Sequence, residues 1–266
     1  MGKKIIFCNC GGEIIGRDRL ELLQAELNKV NAEIIQLSDL CGLTVLNKEQ
    51  INAVFVDGNE YLLIGCYSRS MSLLLEQAGV QLAHTDIRFV NFIELQNERI
   101  LEEVLSFLSN THSTHSFQEI SALSDWPSWY PIIDSDRCTR CGQCADFCLF
   151  SVYEKGEDRV SVIQPQNCKN NCPACARICP HTAIIFPKYN YGGAISGSDE
   201  IDETAEQQRM ALDIENILGG NVYDALEKRK MKRRSIIKAE ALSKANEERD
   251  NALKEKGIFK LPSTNK

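Results

Sequence analysis

Eight of the twelve cysteines in this 266-residue chain fall between Cys138 and Cys179, in two groups of four. The first is Cys138, Cys141, Cys144 and Cys148; the second is Cys168, Cys172, Cys175 and Cys179, followed by Pro180. Short gaps let successive thiolates curl around one face of a cubane, and a fourth cysteine three residues further on points toward a neighbouring cluster. The pattern therefore predicts paired iron–sulfur sites. Zinc would draw four ligands from two separated pairs, whereas here close sets of four occur twice and no histidine completes a set. Disulfides would demand an oxidising compartment, yet the chain opens Met-Gly-Lys-Lys and runs straight into an apolar strand. A cytoplasmic location is expected.

Residues 130–189 resemble the bacterial-type ferredoxins that carry two 4Fe-4S clusters. The resemblance implies an α+β dicluster domain over residues 132–190. By its pattern, Cys138, Cys141, Cys144 and the distant Cys179 hold cluster 1, and Cys168, Cys172, Cys175 and Cys148 hold cluster 2. The halves read as copies: Asp136-Arg137 and Gln166-Asn167 lead into the first cysteines, and apolar runs (149–153 and 183–186) follow the last. Two departures stand out. The second motif opens with three residues, Lys169-Asn170-Asn171, which is expected to bulge its loop, and Leu149 stands where a proline often follows. Neither removes a thiolate.

The first 110 residues alternate apolar runs with helical spacing. Strands are predicted at 4–7, 33–37, 61–64 and 88–92, and helices at 17–30, 48–56, 70–77 and 98–108. Runs without polar alternation belong to strands buried on both faces, so this is a small open parallel α/β domain. Its four cysteines sit at carboxyl ends: Cys8 ends the first strand, Cys10 begins the next loop, Cys41 lies in the loop after the second strand, and Cys66 ends the third. Ligands bind at that edge of a parallel sheet where the strand order reverses. With the order 2-1-3-4 the four thiols converge, which predicts a third cluster.

Phe7-Cys8-Asn9-Cys10-Gly11-Gly12 and Ile64-Gly65-Cys66 resemble the N-terminal domain of the A subunit of heterodisulfide reductases. That family places an iron–sulfur cluster in this domain, which implies Cys8, Cys10, Cys41 and Cys66 as ligands. Its large flavin-binding domain is absent here, so its flavin chemistry does not carry over. A second reading keeps these cysteines as buried small residues or a redox dithiol. The glycines after Cys10 form neither a dinucleotide fingerprint nor a Walker loop.

Residues 111–131 read as a polar linker in which His112 and His115 are solvated, and Trp126, Trp129 and Tyr130 pack the two modules together. Beyond residue 191 a helical extension is expected, with Ser198 capping its first helix. Residues 198–220 hold seven acidic and one basic side chain, and residues 221–266 hold thirteen basic and seven acidic. A long basic helix over 221–256 with a thin apolar stripe suits docking on a partner subunit first, a merely solvated tail second, and nucleic acid least. No apolar run approaches the roughly 18 residues of a membrane span. The expected protein is an electron carrier, or the non-catalytic electron-transfer subunit of an oxidoreductase, of anaerobic type. The alternative is an enzyme or redox sensor whose N-terminal cysteines react as a dithiol or an open-site cluster.

Overall fold

The computed structural model describes residues 2–10, 14–109, 114–122 and 124–209. The described residues belong to one compact unit, Met1–Ile214. His112 and the predicted helix at 221–256 lie outside the described residues.

The N-terminal part alternates strands and helices: β1 (Lys3–Cys8), α1 (Arg17–Leu27), β2 (Glu33–Leu37), α2 (Leu40–Leu46), α3 (Lys48–Val54), β3 (Glu60–Gly65), α4 (Ser68–Ala78), β4 (Asp86–Asn91), α5 (Asn97–Leu108) and β5 (Ser116–Ile120). The strands form one parallel sheet in the order β4-β3-β1-β2-β5. The expected reversal at β1 is present, flanked by β2 and β3.

Successive residues of β1 enter opposite cores, because side chains alternate across a strand. Ile5 and Phe7 pack with Leu20, Leu23 and Leu27 of α1 and Ile100, Val104 and Phe107 of α5. Ile6 and Cys8 pack on the other face with Leu40 and Leu43 of α2, Ile51 of α3, and Met71, Leu74 and Leu75 of α4. Parity thus puts Cys8 in the α2–α4 layer. Each fully buried side chain of this kind contributes about 1.5–3 kcal/mol.

Two elements depart from the sequence expectations. Cys41 is not in a loop but in the first turn of α2, a seven-residue helix of Leu40, Cys41, Gly42, Leu43, Thr44, Val45 and Leu46 that is too short for a helical period to register. Within the span read as linker, β5 pairs in parallel with β2 from Glu33↔Ser116 to Leu37↔Ile120. Four of its five residues are exposed, as on an edge strand, which is why its sequence looks like connector.

The second module comprises β6 (Ile132–Ile133), α6 (Gln143–Phe147), β7 (Tyr153–Lys155), β8 (Val160–Val162), α7 (Ala174–Arg177), β9 (Ile184–Ile185) and α8 (Gly193–Ser196). β6 pairs antiparallel with β9, and β7 with β8. The expected duplication appears in the backbone. Arg140 and Asn171, each just before the second cysteine of its motif, have φ of 62° and 58°, and Ser151 and Thr182, each three residues after the last cysteine, have 56° and 47°. The residue just before Cys172 thus keeps the left-handed conformation of its counterpart despite the three-residue gap. The helices that follow start differently: Gly142 has φ 78°, and a Cβ there would lie 2.4 Å from Lys155 Cε, whereas Pro173 has φ −92°. Past α8, Asp202 Oδ1 accepts hydrogen bonds from the Thr204 and Ala205 amides, so Asp202 rather than Ser198 caps the helical residues from 203.

The modules share a core. Tyr130, Ile132 and Ile185 belong to the same buried cluster as Ile6, Leu63 and Met71. Arg69 of α4 pairs with Asp134 at 2.8 Å, with both side chains nearly buried, and donates to the Thr182 carbonyl at 3.1 Å. Ser70 Oγ donates to Ser196 O at 2.7 Å.

Candidate functional site

All twelve cysteines carry free thiols, and they gather into three groups. In the second module, Cys138, Cys141, Cys144 and Cys179 line one cavity, closed by Ile133, Val160 and Ile184. The first three come from the loop and first turn of α6, and Cys179 is brought in by the turn after α7. Burial first, then the Cys179 and Cys141 sulfurs, push the Cys144 thiol up to about 12. Burial likewise raises Cys179, opposed by hydrogen bonds from the His181 and Ala183 amides, the latter 3.3 Å from its sulfur.

Cys148, Cys168, Cys172 and Cys175 form the second group. Burial, then Cys172 and Cys148, push Cys168 up to about 12. Burial also holds Cys175 well above its ordinary range, partly relieved by the Tyr153 hydroxyl, which donates to Cys175 Sγ at 3.0 Å. Cys168 borders both the second module's own core and the core shared with the sheet.

The third group stands at the carboxyl edge of the parallel sheet. Cys8 Sγ lies 3.5 Å from Cys10 Sγ, and the Leu40 amide donates to Cys8 Sγ at 3.4 Å. The Cys8 contact and then burial hold Cys10 well above a free thiol's range; burial and then Asp39 do the same to Cys41. Cys66 is raised by burial and then by Cys10. Gly65 keeps this edge tight: a Cβ there would lie 2.6 Å from Met71 Sδ and 3.6 Å from Cys8 Cβ.

Several groups around the thiols carry no cysteine signal and escape a motif search. Lys188, just after β9, donates to Asp39 Oδ2 at 2.8 Å and to Pro127 O at 2.8 Å. Tyr130 donates to Cys41 O at 2.9 Å and stacks on Trp126, while Trp129 stacks on Phe186. Tyr130 and Trp126 thus pack at the core shared by the modules, as expected, whereas Trp129 packs inside the ferredoxin module. His115 is exposed and lies 3.1 Å from Val30 O, away from the thiols.

The donor chemistry fits iron–sulfur clusters. Buried thiols that crowd one another resist ionisation, and a cationic iron core offsets the cost of their becoming thiolates. Among the described residues no three His, Cys, Asp or Glu side chains close in as they would around a single ion. A zinc–thiolate bond is about 2.3 Å, while a cubane spreads its thiolates over four irons and holds them further apart.

Residues 131–148 match the 4Fe-4S binding domain family. Over 72 residues the chain is 36% identical to Ferredoxin-3 of Nostoc sp., covering 20% of this chain and 73% of that relative. The chain belongs to the ferredoxin family. An uncharacterized ferredoxin of Methanocaldococcus jannaschii is 46% identical over 61 residues, 23% of this chain and 42% of that relative, so the ferredoxin similarity spans less than half of it. Pyruvate synthase subunit PorD of the same organism is 32% identical over 59 residues, 22% of this chain and 67% of that subunit. No solved structure matches the chain at a significant level. This ferredoxin is thus an iron–sulfur electron-transfer protein that binds 4Fe-4S. No helix among its described residues is long and apolar enough to cross a membrane.

Proposed function

We propose that this ferredoxin relays single electrons through three 4Fe-4S clusters to a redox partner. Cluster 1 is held by Cys138, Cys141, Cys144 and Cys179, and cluster 2 by Cys148, Cys168, Cys172 and Cys175. A third, at the sheet edge, is held by Cys8, Cys10, Cys41 and Cys66. The observation that carries the reading is the lining of one cavity by three cysteines of the first motif and the last cysteine of the second. Such an exchange of the fourth ligand belongs to paired clusters. When bound, the irons carry the electron; the protein supplies thiolates, dry surroundings and hydrogen bonds that set each potential. The N-terminal module's likeness to the heterodisulfide reductase A subunit and the sulfur convergence at the strand reversal support the third cluster.

The similarity to a pyruvate synthase subunit supports a place in an oxidoreductase complex, and the basic segment 221–256 would dock on the partner subunit. Anaerobic co-purification with a tagged chain lacking residues 221–266 tests that docking. Retention of the same partner would reject it.

The 3.5 Å approach of Cys8 and Cys10 favours one competing reading, a redox dithiol. Raised thiols are poor nucleophiles, because the thiolate is the reactive species, and this weighs against it. Iron and acid-labile sulfide analysis of anaerobically purified protein decides. About twelve irons per chain fits three clusters, and about eight leaves the N-terminal thiols free. Cys10→Ala is expected to remove about four irons, and an unchanged count would reject the third cluster.

A further inference from the structure

The N-terminal sulfur site is not built from the N-terminal module alone. Lys188 belongs to the ferredoxin module, 149 positions from Asp39, yet its ammonium sits 2.8 Å from that carboxylate. Asp39 stands two residues before Cys41, and both side chains of the pair are only 18% exposed. The Pro127 carbonyl accepts a second hydrogen bond from Lys188, which fixes its head. A carboxylate on one side and a carbonyl on the other thus hold the lysine head in place.

A buried ion pair is weak evidence for stability, since desolvation consumes most of its attraction, so its placement calls for another explanation. Asp39 stands beside the sulfurs at the sheet edge, two residues before Cys41 and facing Lys188. Its second oxygen, Oδ1, is buried with no hydrogen-bond partner, and so is Asn9 Oδ1 between Cys8 and Cys10. Four sulfurs, a carboxylate and an orphaned amide oxygen thus concentrate negative potential at one sheet edge. Arg17 of the N-terminal module meets this edge only from the exposed side, at the Asn9 carbonyl; the nearly buried cation, Lys188, comes from the other module.

We propose that Lys188 and Asp39 form an opposed charge pair that sets the reduction potential of the centre at Cys8, Cys10, Cys41 and Cys66, with the ferredoxin module supplying the positive member. The inference rests on the proposed third cluster. Reduction adds one negative charge to the centre. Lys188 favours the reduced form and Asp39 disfavours it, and low-dielectric surroundings strengthen both effects. The N-terminal centre then accepts electrons readily only while the ferredoxin module is docked and its lysine in place. Both are positioning residues, since neither ligates sulfur-bound iron.

The test is a potentiometric titration of the full chain followed by electron paramagnetic resonance, with iron counted on each sample. Lys188→Gln keeps the stem and a donor but removes the charge. It is expected to lower the N-terminal midpoint by about a tenfold change in the reduced-to-oxidised ratio, about 59 mV for one electron. Asp39→Asn is expected to raise it by a similar amount. Lys188→Arg should stay near wild type, and the centres in 131–189 should not move. A structural role would act alike in both neutral variants, so shifts of the same sign, or none, with about twelve irons retained overturn the proposal. If one neutral variant loses about four irons, the sign of the other decides; if both lose them, the pair is structural and the proposal falls. About eight irons in the wild type would instead reject the third cluster itself, and this inference with it.

Discussion

Tyr153 is buried and aims its hydroxyl at Cys175 Sγ, 3.0 Å away. Burial and then the Cys175 sulfur hold its phenol well above the ordinary range, so it donates rather than ionises. A donated hydrogen bond stabilises the more negative, reduced form of the cluster proposed on Cys148, Cys168, Cys172 and Cys175. Tyr153→Phe keeps the ring and removes one bond worth about 1 kcal/mol. That potential is expected to fall by up to about 40 mV for one electron, read in a potentiometric titration. An unmoved midpoint would mean that the hydroxyl does not tune the centre. The cysteines themselves were legible because their ligating pattern is written as short covalent spacing. Tyr153 and Lys188 were not, because they meet sulfur or its neighbours across 22 and 149 positions.

Helix α4 is the element that joins the modules. Its apolar residues Met71, Leu74 and Leu75 fill the sheet core, while Arg69 and Ser70 reach Asp134, Thr182 and Ser196. Arg69→Ala strands a nearly buried Asp134 carboxylate and is expected to cost about 3–5 kcal/mol, measured as a lower urea midpoint. A loss below 1 kcal/mol would show that water reaches the pair freely. Further along α4, burial first and then Asp136 and Asp134 raise the Glu76 carboxyl above its usual value of 4.5. A carboxyl whose folded pKa lies above its unfolded one binds its proton better in the fold, so stability falls as pH rises through that window. Glu76→Gln removes the effect: its urea midpoint should exceed the wild type's at pH 7 and converge with it below pH 4. A gap that ignores pH would contradict this. The α4 sequence announced its core face through helical spacing, and three of the four predicted strands announced themselves as runs without polar alternation, while β4 keeps exposed polar residues. β5 and α2 stayed hidden because one is an exposed polar edge and the other spans seven residues. Arg69–Asp134 was equally invisible, since charge alone does not say which partner a fold will supply.

At the scale of Met1–Ile214, the ferredoxin module and the parallel sheet share one buried core, which predicts that they unfold together. A module of about 60 residues buries too little surface to be robust alone and depends on metal or on a neighbour. Here it has both. Tyr130, Ile132 and Ile185 lie in the sheet's core, and each contributes about 1.5–3 kcal/mol that is lost if the module opens. Stripping iron from the full chain with a chelator under reducing conditions removes the cationic cores that offset the burial of crowded thiolates. The module should loosen first, taking Arg69's partners and the cover over α4 with it. Amide hydrogen exchange reports this by element. Exchange in α4 and β3 is expected to accelerate at least about tenfold, equivalent to about 1.4 kcal/mol, together with exchange in α6 and α7. In α1 and α5, on the far face of the sheet, the change should be smaller, because neither contributes to the shared core. Opening of α6 and α7 with α4 unchanged would mean that the two modules only touch, and the relay would then need some other device to hold its centres at fixed separation.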